Sequence, residues 1–272
     1  MRVFDAWMQP PARRFLTDPI FASLTRWLNI DPATLPESFP PDFLLHAMDA
    51  AGVERATVSA WHGPSGVIIS NAEIAALVKA HPDRLVGLAS VDLARPMEAV
   101  RELRRAVEFD GARGLRLLPW LWNLPPNDRR YYPLYAACVD LGIPFCTQAG
   151  HAGPLCESEP GRPIPYLDQV ALEFPELVIV AGHTGFPWTQ ELIALAMKYP
   201  NLYIDTSAYK PSRYPRELTD YMRASGCKKV LFASDFPMLT PAACLAEVAQ
   251  LQLTDEARAR FLYGNAMRIF RA

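Results

Sequence analysis

The sequence predicts one parallel (β/α)8 barrel with long loops at its C-terminal face. Eight short apolar runs recur along the chain, and amphipathic helical stretches separate most of them. No strand–helix junction carries a GxGxxG or P-loop lysine signature, which argues against a doubly wound nucleotide-binding sheet. The length of 272 residues, half of them apolar, suits one barrel of about 250 residues and a single domain over 1–272.

The strand candidates are Val3–Ala6, Arg55–Ala60, Leu85–Val91, Gly114–Leu118, Ile143–Thr147, Leu177–Ala181, Leu202–Asp205 and Val230–Ala233. Helical patterns run over Asp42–Ala51, with Phe43, Leu44, Ala47 and Met48 on one face, and over Asn71–Ala80, with Ser70 as N-cap. Further helices are expected at Met97–Phe109 (Val100, Leu103 and Val107 inward), Tyr132–Leu141, Pro165–Phe174, Thr189–Lys198 and Pro215–Ser225. Right-handed βαβ connections between such units close a barrel at eight. Three insertions, Pro10–Pro41, Trp120–Tyr132 and His151–Pro165, follow strands one, four and five. Loops after strands lie on the face where barrels build their sites.

Composition narrows the partners. Net charge is −2, with both signs interspersed, and no basic stripe suggests nucleic acid. The five cysteines, Cys138, Cys146, Cys156, Cys227 and Cys244, are odd in number and widely spaced, which fits reduced thiols in the cytoplasm. The start MRVFDAWMQPP has no signal-peptide pattern, and no apolar run approaches the ~18 residues of a membrane span. The expected partner is a small-molecule substrate.

Five segments then carry a resemblance: AGVERATVSAW, AHPDRLVGLASVDL, LVIVAGHTGFPW, VLFASDFPM and the closing FLYGNAMRIF. In this order and spacing they resemble the amidohydrolase superfamily, in the branch of aminocarboxymuconate-semialdehyde decarboxylase. The resemblance implies a barrel, a homodimer, and a divalent metal held by an HxH after strand one, a His after strand five, a His after strand six and an Asp after strand eight. Here the HxH positions fall on Trp7 and Gln9, and the strand-five position on Gln148. Only His183 and Asp235 match. An indole nitrogen only donates, and a glutamine oxygen is a weak ligand. Two good donors do not make a tight site. No cofactor is therefore expected; a weakly bound divalent ion stays open, and a stoichiometric one would point to His62 or His151 as replacement ligands.

His183 in AGHTG and Asp235 in ASDFP are the expected acid/base pair. Trp7, Gln9, Trp61, His62, Arg116, Trp120, Gln148 and His151 are expected around a substrate cavity of aromatic walls and amide heads. Arg116, near the end of strand four, suits a substrate carboxylate, although a structural ion pair explains it equally well. His46 and His81 lie in or at the end of helices and are assigned no role. Asp205 is read as structural, and Cys146 as an inert buried thiol.

The default chemistry implied by the resemblance is hydrolysis of a small carbonyl, lactone or ester, or action on an aromatic carboxylate, without a tightly bound metal. The alternatives are a non-oxidative decarboxylase or other lyase or isomerase, and a catalytically silent barrel that binds a ligand or a partner subunit.

Overall fold

The computed structural model describes residues 1–36, 39–40 and 42–272. Eight parallel strands make the barrel: β1 (Phe4–Met8), β2 (Arg55–Ser59), β3 (Leu85–Leu88), β4 (Leu115–Arg116), β5 (Phe145–Gln148), β6 (Ile179–Gly182), β7 (Leu202–Asp205) and β8 (Val230–Leu231). β1, β2 and β3 form one continuous ladder, and β4 through β8 form another. Two seams join them. At one, Ala89 N donates to Gly114 O at 2.8 Å, and Arg116 N donates to Ala89 O at 2.8 Å. At the other, Ala6 N donates to Phe232 O at 2.9 Å, and Asp235 N donates to Trp7 O at 2.9 Å. Every strand thus has two neighbours, and the sheet has no edge to protect.

All eight expected strands are present; six are shorter than the apolar runs, β7 matches its run and β1 reaches on to Met8. Seven helices return the chain between strands: α1 (Phe43–Ala51), α2 (Asn71–Ala80), α3 (Pro96–Glu108), α4 (Tyr132–Leu141), α5 (Tyr166–Glu173), α6 (Thr189–Lys198) and α7 (Arg216–Arg223). α2 opens on a reciprocal capping box. Glu73 N donates to Ser70 Oγ at 3.1 Å, while Ser70 N donates to the Glu73 carboxylate at 2.8 Å. α4 ends where Gly142 takes φ +64°, a left-handed cap that a side chain would strain.

Two expected helix faces need correction. Phe43 does not point into the core; it is 40% exposed and lies against Phe39 and Phe236, with ring centroids 5.5 and 5.9 Å away. In α3 the buried line is Ala99, Leu103 and Ala106, with Val100 and Val107 half-buried beside it.

The first insertion crosses the barrel mouth as a strap. Its residues 37, 38 and 41 lie outside the described residues. It contains short helices at Arg13–Thr17 and Ala22–Trp27 around a turn at Pro19–Phe21. Phe21 is the plug. It is 1% exposed and packs edge-on against Trp120 (5.8 Å) and Trp61 (6.2 Å). The far side is tied to the insertion after β5: Ser23 Oγ donates to Gly153 O at 2.6 Å, and Leu155 N donates to Ile20 O at 3.0 Å.

A second feature escaped the periodicity. Directly after β2, Trp61–Gly63 pairs antiparallel with Gly66–Ile69 in a small hairpin at the rim. Among the described residues no helix is long and apolar enough to cross a membrane.

Replacing Phe21 by Ala removes a fully buried ring and is expected to cost about 3–5 kcal/mol, near the full value only if the strap cannot collapse. Because the ring pins the strap, cleavage between residues 10 and 30 in limited proteolysis should accelerate. Unchanged cleavage there would show that the strap is held by other contacts.

Candidate active site

The mouth is built from strand ends. Along β1 side chains alternate, so Asp5, Trp7 and, just beyond the strand, Gln9 share the lumen side. Asp5 is buried, and its Oδ1 accepts from Trp7 N at 3.1 Å and Ser234 N at 3.0 Å. Trp7 is 1% exposed and spans the lumen. Its ring lies 4.8 Å from the His183 ring, and the Arg116 guanidinium sits 3.8 Å from its centroid. A Cβ built on Gly182 would meet Trp7 Cζ3 at 2.7 Å and Asp205 Oδ2 at 2.8 Å, so only glycine fits where β6 ends.

His183 follows that glycine with φ +67°, Thr184 has φ +59°, and Asp235 has φ +70°. The left-handed region is costly for non-glycine residues, most of all for a β-branched threonine. The strain aims His183 and Asp235 at each other, with His183 Nε2 4.0 Å from Asp235 Oδ2. Both side chains keep 12% of their surface exposed, while Trp7 and Arg116 beneath them are sealed.

A hydrogen-bonded chain sets the tautomer of His183. Ser207 N donates to Asp205 Oδ1 at 3.0 Å, and Ser207 Oγ donates to the same oxygen. The serine oxygen must then accept from His183 Nδ1, 2.5 Å away. The Nε2 lone pair is left facing Asp235. Ser207 was absent from the sequence reading. Its signal was the spacing in IDTS, where a serine two residues after a strand-end aspartate can close an Asx-type turn.

The electrostatics divide the pair. Burial pushes the His183 imidazole down from 6.5 to about 3, and Arg116 and His151 push in the same direction. Burial pushes the Asp235 carboxyl up from 3.8 to about 8, although Gln9 and Arg116 oppose it. Asp5 rises to about 7 for the same first reason. Near neutrality His183 is a neutral acceptor and Asp235 holds a proton.

The remaining expected residues separate into groups. Gln9 Nε2 donates to Asp235 Oδ1 at 3.3 Å, placing it beside the pair. Gln148 is consumed internally: its Oε1 accepts from Trp120 Nε1 at 2.5 Å, and its Nε2 donates to His151 O at 2.6 Å. Trp61 and Trp120 pack together at 6.2 Å under Phe21, so the expected aromatic walls are closed on one another. The His151 side chain is exposed at the rim, near enough to His183 to act on its charge. His62 stands apart, 6.1 Å from Trp122, and lines a cavity of about 570 Å³ with Asn71, Ser90, Glu102 and Arg105, outside the barrel axis. Arg116 corrects an expectation. It is 2% exposed, donates from Nη2 to Ala6 O at 3.2 Å, and presents no surface to a substrate carboxylate. Cys146 is buried, and burial pushes its thiol up to about 12, as an inert residue requires.

The donors at the mouth do not fit the metal that the resemblance implies. Trp7 fills the space with a ring that has no lone pair in its plane, both polar ends of Gln148 are occupied, and a guanidinium lies against that ring. Among the described residues no three His, Cys, Asp or Glu side chains are grouped to hold an ion.

Comparison with known proteins agrees with this architecture. A family profile described as amidohydrolase matches residues 30–272. An uncharacterized TIM-barrel protein from Bordetella bronchiseptica superposes with a TM-score of 0.85 at 28% identity, covering 100% of this chain and 99% of the other. The 5-carboxyvanillate decarboxylase of Sphingomonas paucimobilis gives 0.73 at 21% identity, covering 99% of each chain. The 2,6-dihydroxybenzoate decarboxylase of Rhizobium gives 0.74 at 19%, covering 99% of this chain and 98% of that one.

The two titrations predict opposite slopes in stability. Asp235 and Asp5, raised from 3.8 to about 8 and about 7, contribute stability that is full below pH 3.8 and lost as pH rises through 7–8. His183, lowered from 6.5 to about 3, contributes stability present above pH 6.5 and lost as pH falls towards 3. Melting temperature measured against pH should therefore lose part of its alkaline-side fall in Asp235→Asn and part of its acid-side fall in His183→Asn. Parallel curves for wild type and both variants would contradict the assignment.

Proposed function

The chain belongs to the amidohydrolase family, and from that premise we propose an enzyme that removes carbon dioxide, without oxidation, from a small aromatic or unsaturated hydroxy-carboxylic acid. The carrying observation is the inverted pair at the mouth: a carboxyl that holds its proton beside an imidazole that does not. Decarboxylation needs a proton delivered to carbon, and in this reading Asp235 delivers it. His183 Nε2 accepts a hydrogen bond from the substrate hydroxyl, which raises electron density on the adjacent carbon framework. Asp235 then protonates the carbon that bears the carboxylate. The carbon–carboxylate bond breaks, its electron pair returns to the framework, and carbon dioxide leaves. The product keeps its hydroxyl proton, and solvent reprotonates Asp235. Gln9 Oε1, buried and without a partner among the described residues, can accept from a substrate hydroxyl or acid proton.

Hydrolysis of a lactone or ester is the second reading, and the family supports it. It asks more of this site. Water near its bulk pKa of ~15.7 needs a strong base or a metal, and an imidazole held at about 3 is a weak base. The five cysteines form no disulfide, which supports the cytoplasmic setting we assign.

Hydroxybenzoate-type acids, lactones and aryl esters should be offered in parallel. We expect carbon dioxide release from the acids and, in heavy water, one deuteron at the vacated carbon. Asp235→Asn and His183→Asn should each lower kcat by roughly 10²–10⁴-fold. Lactone cleavage without carbon dioxide release would favour the second reading. Turnover unchanged in both variants would remove the pair from the chemistry, and binding without turnover of any compound would indicate a silent barrel.

A further inference from the structure

The strangest group in the molecule is a cation where a barrel of this family is expected to hold a different one. Arg116 crosses from β4 to β1 inside the lumen, and only Nη2 has a hydrogen-bond partner, the Ala6 carbonyl. Nε and Nη1 are buried and without partners among the described residues. Three buried carboxyls act on its charge, those of Asp205, Asp235 and Asp5. Asp5 Oδ2 and Asp205 Oδ2 are themselves buried and unpartnered among the described residues. A charge in this setting is costly unless opposite charges and polarisable surface surround it. Arg116 has both, because its guanidinium lies over the Trp7 indole, 3.8 Å from the ring centroid, and the aspartates act on its charge. The indole in turn supports the His183 ring.

We propose that Arg116, stacked on Trp7, is a built-in cation that takes the place of a divalent metal at the barrel mouth and keeps such ions out. Trp7 is the second half of the device. Its indole occupies the HxH position, provides the face on which the guanidinium rests, and contacts the imidazole that would otherwise be a ligand. Arg116 is a positioning residue, since it is sealed from the mouth and acts through Trp7 and the aspartates. The inference does not depend on which reaction the mouth carries out, because its readouts are ion binding and stability.

Three proteins test it, with Mn²⁺ and Zn²⁺ as probes and metal content measured after dialysis. The wild type and Trp7→His/Gln9→His, both with Arg116 intact, should hold no stoichiometric ion. Trp7→His/Gln9→His/Arg116→Ala should gain one, together with a metal-dependent rise in melting temperature. A stoichiometric ion in either protein that keeps Arg116, or a folded triple variant that binds none, overturns the proposal. Should the triple variant fail to fold, Arg116→Ala alone decides. Its lowered melting temperature should be partly restored by low-millimolar guanidinium, with no such rise in the wild type and none from equal sodium. Absence of that rescue likewise overturns it.

Discussion

A charge buried in the lumen of a barrel has to be answered from within the lumen. Here one guanidinium faces three carboxyls, Asp5, Asp205 and Asp235, and one positive charge cannot balance three negative ones. The remaining imbalance is met by protons. Burial raises all three aspartates above their ordinary range, and neighbouring carboxyls add to the effect on Asp5 and Asp235. The same desolvation, with the guanidinium nearby, keeps His183 neutral. The acid/base character of the mouth is thus a consequence of what lies beneath it.

The barrel was legible because its signal is repeated. Eight apolar runs and seven helix patterns reinforce one another, and a boundary wrong by a residue or two does not disturb the topology. The ends of strands were legible too, since GHTG and SDFP sit where side chains must converge. What the chain concealed was direction and distance. Nothing in GLRLLPW says whether Arg116 faces out to a substrate or inward across the lumen; that follows from the closing of β1 over β4, a contact between residues 110 positions apart. The closed aromatic walls were hidden for a related reason. Trp61 and Trp120 look like a cavity lining until Phe21, from an irregular strap without period, is set between them. The rim hairpin was missed because two short runs joined by Pro64 and Ser65 resemble a simple turn.

The strap and the strained residues are two sides of one arrangement. His183, Thr184, Ala208 and Asp235 all occupy left-handed backbone at the mouth, each at a cost of order 1–3 kcal/mol. Such strain persists only where packing over-determines it, and here the packing is a solid lumen of Trp7, Arg116 and the aromatic plug. A looser mouth would let these residues relax, and the 4.0 Å approach of His183 to Asp235 would be lost with them.

The three buried acids differ in how firmly hydrogen bonds hold them. Asp5 Oδ1 is fixed by two backbone donors, and Asp205 Oδ1 by both the backbone and the hydroxyl of Ser207. These bonds favour the charged forms and hold the groups in place. Asp235 accepts one long bond, 3.3 Å from Gln9, and alone of the three has a side chain that reaches the surface of the mouth. It is the least stabilised as an anion and the most accessible as an acid. Burial is the main cause of its raised carboxyl, and the two aspartates that cannot leave their bonds add to it.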